Sequence, residues 1–171
     1  MHTIPRHAFM RGLTLVELMI ALAVLGIMLT IGVPALSQVV NQNRLTSQAN
    51  LFVGLVTLTR SEAVKRRTDV SLIFVHESGN WTGGLQVREG ANNPNGTLIR
   101  QAQLANDFFA FGVIDAANLP AAISFNAVGQ TDNSISITFY FQHNDCKGDL
   151  RREITVSPLG NLQMERKSCA T

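Results

Sequence analysis

Apolar residues run almost without break from Leu13 to Leu36, recur at spacings of three and four as far as Arg67, and from Thr68 alternate in short runs. The first stretch is the most uniform. From Leu18 to Leu36 no residue is charged and Thr30 is the only polar side chain. Those nineteen residues rise roughly 28 Å as a helix, about the thickness of one hydrocarbon core. A secretory signal peptide is the first alternative, but its apolar region runs to about 7–15 residues before a small-residue cleavage site. Here the run is longer, and Pro34-Ala35-Leu36-Ser37 is a weak exit. Because basic residues precede the run, the positive-inside tendency keeps the N-terminus in the cytoplasm and exports the chain beyond Ser37.

Past Ser37 the helical period continues with two faces. Leu36, Val39, Val40, Leu45, Ala49, Phe52, Leu55, Val56 and Ala63 form one stripe, and Asn41, Gln42, Asn43, Arg44, Ser47 and Gln48 fill the other side. Gly54 costs about 1 kcal/mol relative to alanine, whereas Lys65, Arg66 and Arg67 complement the helix dipole at its end. The spacing predicts one helix of more than fifty residues. The strand period then takes over at Val70–Val75, Trp81–Arg88, Thr97–Gln101, Ala121–Ala127, Ser134–Phe141, Arg152–Ser157 and Leu162–Glu165. Gly90–Gly96 reads as a loop, and Ser78-Gly79-Asn80 and Pro158-Leu159-Gly160-Asn161 read as turns. Short, closely spaced strands after a long helix predict an α+β domain with antiparallel sheet, one face covered by the helix stripe.

Glu17 breaks the apolar run. It is the only charged residue between Arg11 and Arg44, and a carboxylate at membrane depth costs roughly 2.5–3.5 kcal/mol on insertion scales. Such a residue usually serves a function with a named partner, although a carboxylate near the interface can also reach water. Gly12-Leu13-Thr14-Leu15-Val16-Glu17 behind the basic leader of residues 1–12 resembles the processing motif of type IV pilins and type II secretion pseudopilins. The resemblance implies cleavage between Gly12 and Leu13 by a prepilin peptidase and N-methylation of Leu13. This chain presents leucine after the cut where the family usually has phenylalanine or methionine. Glu17 then matches the family glutamate that pairs with a neighbouring subunit's freed amine, and so sets the register of a growing fibre. An unpaired buried charge is expensive and a paired one tolerable, so pairing would favour one stagger. Pro34 matches the helix-bending proline of many members; it removes one helix donor and clashes with the preceding turn.

Arg60-Ser61-Glu62-Ala63-Val64-Lys65-Arg66, the tryptophan-glycine strand and the C-terminal strand pair resemble the GspH/FimT branch of minor pilins and pseudopilins. The resemblance implies the type IV pilin-like fold, with a leader at 1–12, a transmembrane and fibre-core helix at 13–36, its amphipathic half at 37–67 and a periplasmic β-rich headgroup at 68–171. It implies a single-pass protein of the bacterial inner membrane, later incorporated in a pilus or pseudopilus as a subunit that starts or caps it. The implied partners are other minor and major pilins or pseudopilins, the prepilin peptidase, the inner-membrane assembly platform and the lipid bilayer. Neither a cofactor nor a metal is expected.

Charge and chemistry add less. Of fourteen Lys and Arg, loss of Arg6 and Arg11 leaves twelve against twelve Asp and Glu, so no overall attraction to nucleic acid is built in. Arg151-Arg152 and Arg166-Lys167 could join Lys65-Arg66-Arg67 in a basic patch, which makes a DNA-binding subunit the main rival, with Arg166 and Lys167 as its contacts. Gly160-Asn161-Leu162-Gln163 lacks the arginines that DNA-binding members of the branch carry there. Cys146 and Cys169, both exported, are either a disulfide or two free thiols; the family resemblance supports the bridge. His143, Asp145 and Cys146 lie close together without a second cluster at metal-ligand spacing. A membrane-anchored enzyme is the weakest rival. No nucleophile elbow, phosphate loop or dinucleotide fingerprint occurs, and no catalytic residue is assigned.

Overall fold

The computed structural model describes residues 14–105, 107–114, 119–146 and 148–169, and among these the side chains at 31 and 33–35 are left aside. Gly12 and Leu13 therefore lie outside the described residues. The chain divides into two compact units, Met1–Val40 and Asn41–Thr171, and helix α1, Leu15–Arg66, supplies a part of each.

In the first unit α1 begins on Thr14. The Glu17 N–H donates to Thr14 Oγ1 at 3.2 Å and the Leu18 N–H to the Thr14 carbonyl at 3.2 Å, so Thr14 is the N-cap. Thr14-x-x-Glu17 is a capping-box sequence. Thr30, the lone polar side chain of the run, satisfies its hydroxyl on the Ile27 carbonyl at 2.7 Å. The described leucine, isoleucine, valine and methionine side chains from Leu15 to Leu29 are exposed on all sides. Helix assignment continues through position 34.

In the second unit α1 becomes the core. Leu45, Ala49, Phe52, Leu55, Val56 and Ala63 are buried at helical spacing, as is Thr59, whose hydroxyl bonds the Leu55 carbonyl. The buried stripe begins at Leu45; Leu36, Val39 and Val40, which the spacing places on the same stripe, stay exposed. The helix stops at Arg67, which adopts left-handed φ 55° while the Thr68 N–H returns to the Ala63 carbonyl, closing the last turn.

Among the described residues eight strands come after the helix: β1 Val70–Glu77, β2 Asn80–Glu89, β3 Leu98–Gln103, β4 Phe109–Val113, β5 Ala122–Phe125, β6 Ile137–His143, β7 Arg151–Val156 and β8 Leu162–Lys167. They form two antiparallel sheets, ordered β3-β2-β1-β5 and β4-β6-β7-β8. Ser78 and Gly79, both at positive φ, make the tight β1–β2 turn. Strand β4 lies outside the strands that the alternation pattern picks out.

Phe52 joins helix and sheets. Fully buried, its ring lies 6.3 Å from Phe74 of the first sheet and 5.4, 5.0 and 5.7 Å from Phe111, Phe139 and Phe141 of the second. Trp81 on β2 meets Phe111 on β4 at 4.7 Å, so rings from both sheets interlock directly. Two polar fastenings and one covalent bond hold the unit further. Arg60 donates from Nε to the Gly129 carbonyl (3.0 Å) and from NH2 to the Leu159 carbonyl (3.1 Å), holding two turns at once. Buried Ser71 and Ser124 share a hydrogen bond at 2.9 Å and both accept the Asn92 N–H, which clips the β2–β3 loop down. Finally, Cys146 and Cys169 are bonded as a disulfide with Cα atoms 5.7 Å apart, tying the β6–β7 connection to the residues after β8.

Candidate functional site

Two regions hold the residues singled out from the sequence. The first is the start of α1. Glu17 occupies the third helical position after the Thr14 cap, is exposed, and makes no ion pair among the described residues. A carboxylate in the first turn complements the positive end of the helix dipole, so this position favours an anion even without a partner. The exposed apolar surface from Leu15 to Leu29 surrounds it. Among the described residues no helix is long and apolar enough to cross a membrane; side chains of the apolar run are described continuously only over residues 15–30.

The second region is the end of the headgroup that carries the disulfide. His143 is buried and its Nδ1 accepts the Asp145 N–H at 3.0 Å, while the sulfur of Cys146 is taken up by Cys169. The side chains of His143 and Cys146 thus have separate structural work. Strand β8 carries Arg166 and Lys167. Lys167 bonds Glu165 at 2.6 Å, which raises the lysine pKa and lowers that of the carboxyl. Arg151 pairs with Glu153 at 2.8 Å and lies 4.8 Å over the Tyr140 ring. A glycine at 112 makes room for that ring, since a Cβ there would stand 2.7 Å from the Tyr140 hydroxyl.

The basic groups do not merge into one patch. Arg152 is buried and its NH2 reaches Thr46 on α1, whereas Arg66 lies twenty residues further along that helix, about 30 Å away. Arg66 is itself engaged by Glu62 at 2.6 Å and Glu89 at 3.9 Å. The Glu62 carboxyl is held below the usual range, chiefly by its hydrogen bond from Arg66. Arg152, which the sequence offers as part of a basic patch, is instead buried. Its guanidinium bonds only neutral oxygens: the Asp149 and Arg151 carbonyls and Thr46 Oγ1. Burial, and next the charge of Arg166, push its pKa down. Its place on one strand face with Ile154 and Val156 is the sequence signal that points to its burial.

A long N-terminal helix continued into the core of an antiparallel β headgroup defines a pilin-like protein, and the comparisons agree. The family model described as type II transport protein GspH matches residues 48–160, and that of the prokaryotic N-terminal methylation motif matches residues 9–33. The chain belongs to the GspH family of type II transport proteins. The pilin-like protein PilA1 of Thermus thermophilus is 37% identical over 83 residues, covering 48% of this chain and 51% of that protein, so the chain spans about half the length of this relative. Among solved structures, the type IV minor pilin FimU of Pseudomonas aeruginosa matches with a TM-score of 0.59 and 24% identity, over 72% of this chain and 89% of that one. The minor pseudopilin EpsH of the Vibrio cholerae type 2 secretion system matches with a TM-score of 0.51 and 13% identity, over 71% and 94%. At those identities the two structures show a shared fold.

Proposed function

We propose that this chain is a minor pilin or pseudopilin that initiates or caps a type IV pilus or type II secretion pseudopilus. A prepilin peptidase cuts between Gly12 and Leu13, Leu13 is N-methylated, and residues 13–36 hold the subunit in the inner membrane until an assembly platform moves it into the fibre. The full apolar run in the sequence reaches Leu36, long enough for a bilayer. Glu17 then pairs with the freed amine of an adjacent subunit, and Pro34 loosens the helix within the fibre core.

One observation carries the reading: the helix cap at Thr14 falls within the stretch, 9–33, that matches the methylation motif. After the cut only Leu13 precedes the cap, so the new α-amino group lies at the positive end of the helix dipole. That placement is unfavourable for a cation unless a carboxylate offsets it. Glu17 offers the charge, and a partner's Glu17-like residue offers it in register. Of the two candidate DNA contacts Lys167 is paired with Glu165, and Arg66 is paired with Glu62, which leaves Arg166 as a single unpaired contact and weighs against the DNA-binding alternative.

The test has two parts. Mass spectrometry of the chain from its host is expected to find an N-terminus at methylated Leu13. The Glu17→Ala form is expected to be processed and inserted normally yet to enter filaments poorly. An untrimmed chain still carrying Met1, or wild-type incorporation of Glu17→Ala, refutes the reading.

A further inference from the structure

Strand β8 overhangs the core. Its direct partners on β7 fix which side faces inward: Leu162 lies opposite Val156, Met164 opposite Ile154 and Arg166 opposite Arg152. The β7 members of those pairs are all buried, yet Met164 is 43% exposed and Arg166 is exposed. The core therefore covers β7 on this side and half-buries Leu162, but leaves β8 open from Met164 onward. The strand pairs only with β7, so its other edge has no strand neighbour among the described residues.

The charges on this open face are unbalanced. Arg152 and Arg166 stand directly opposite each other, a like-charge arrangement that destabilises a sheet. No carboxylate forms an ion pair with either guanidinium among the described residues, and Asp149, the nearest acidic residue felt by Arg152, offers its backbone carbonyl instead. On the opposite face of the same hairpin, Arg151 and Lys167 each have a carboxylate within 2.8 Å. So one face balances its charges internally and the other leaves two cations beside an exposed methionine.

We propose that Leu162, Met164 and Arg166, backed by Arg152, form a docking surface for another pilin-class subunit that presents an aliphatic side chain beside a carboxylate. This rests on the reading of the chain as a filament subunit. An incoming carboxylate pairs with exposed Arg166 and so relieves its repulsion from buried Arg152, and its apolar neighbour covers Met164. A nucleic-acid backbone fits worse. It is bound by many cations, whereas this face exposes one, Arg166, and Glu153 and Glu165 line the reverse side.

A photo-crosslinking residue is placed at position 164 of the full chain in its host, with position 163, on the reverse face, as control. The expected product links position 164, and not 163, to a pilin-class subunit at a peptide containing Asp or Glu. Arg166→Glu is expected to cut the yield about tenfold, equivalent to about 1.4 kcal/mol. Changing the mapped partner carboxylate to Arg should restore it, and Arg166→Gln should fall between. Purified full-length Arg166→Glu in detergent should melt no lower than the parent, because a glutamate opposite Arg152 replaces the like-charge pair; this separates lost docking from misfolding. The proposal is overturned if Arg166→Glu leaves the yield unchanged, if incorporated chains give no link from 164, if the link is to nucleic acid, or if Arg166→Glu melts lower. A wild-type chain absent from every filament would instead refute the subunit reading itself.

Discussion

Replacing Phe52 with alanine tests whether α1 is the joint between the two sheets. The side chain is fully buried and its ring meets Phe74, Phe111, Phe139 and Phe141 at centroid distances of 5.0 to 6.3 Å. Losing its transfer energy costs about 1.5–3 kcal/mol, and each ring pair adds about 0.5–1.5 beyond the area it buries. The aromatic neighbours belong to two different sheets, so they cannot collapse together into the hole without sliding one sheet over the other. The cost therefore belongs in the upper part of the usual ~3–5 kcal/mol for Phe→Ala, about 4.5. For a unit of this size that lowers the melting temperature by roughly 15 °C. The assay is urea unfolding of the full chain in detergent, followed by circular dichroism and by the fluorescence of Trp81, the single tryptophan, which sits in the same ring cluster. Both signals are expected to shift together and by the same amount, while Phe52→Leu, which keeps most of the volume, costs about 1.5 kcal/mol. A loss for Phe52→Ala below about 1.5 kcal/mol, or a biphasic curve in which one signal survives the other, refutes the joint.

Reducing the Cys146–Cys169 bridge, whose cysteines are 23 residues apart, is expected to cost about 3.4 kcal/mol by the chain-entropy relation, and Cys146→Ser, Cys169→Ser and the double variant should melt alike. Two Gly→Ala changes should have opposite signs in thermal melts. Gly160 sits at φ 76°, where a Cβ would run into the Gly129 carbonyl, so alanine should cost more than about 1 kcal/mol; Gly54 has open space in the helix interior, so alanine should add about 0.5–1 kcal/mol. Glu62 has a folded pKa below its unfolded one, so its contribution is complete above the ordinary carboxylate range and is lost as pH falls through the depressed value. Glu62→Gln is therefore expected to flatten the acid limb of a melting-temperature profile from the ordinary carboxylate range downward, and an unchanged limb would refute that.

Much of the architecture is legible in the residue pattern because it is local. The helix period from Leu45 to Ala63 and the alternation in β7 come directly from which side chains must be buried, and β1, buried without break from Val70 to Phe74, shows as a nearly continuous apolar run. Strand β4 is harder to see. Phe109, Phe111 and Val113 do alternate, but with Ala110 and Gly112, small residues that give no polar contrast. The glycine belongs there for a reason found only in three dimensions, the Tyr140 ring beside it. Strand order is likewise non-local, since β1 pairs with β5 across more than forty intervening residues. At the site, Thr14-x-x-Glu17 announces its own cap, whereas the solitude of Arg152 emerges only once Thr46 and Arg166 are placed around it.

The terminal strand has no loose end. Its far side is bolted by the sulfur bridge at Cys169, and its near side enters through the Ser157–Gly160 turn that Arg60 grips from the helix. Fraying, the ordinary first step by which an edge strand is lost to proteases or to stray pairing, is thereby denied both starting points. To peel β8 away, a force would have to break a covalent bond or pull the Leu159 carbonyl off the guanidinium that the helix holds out to it.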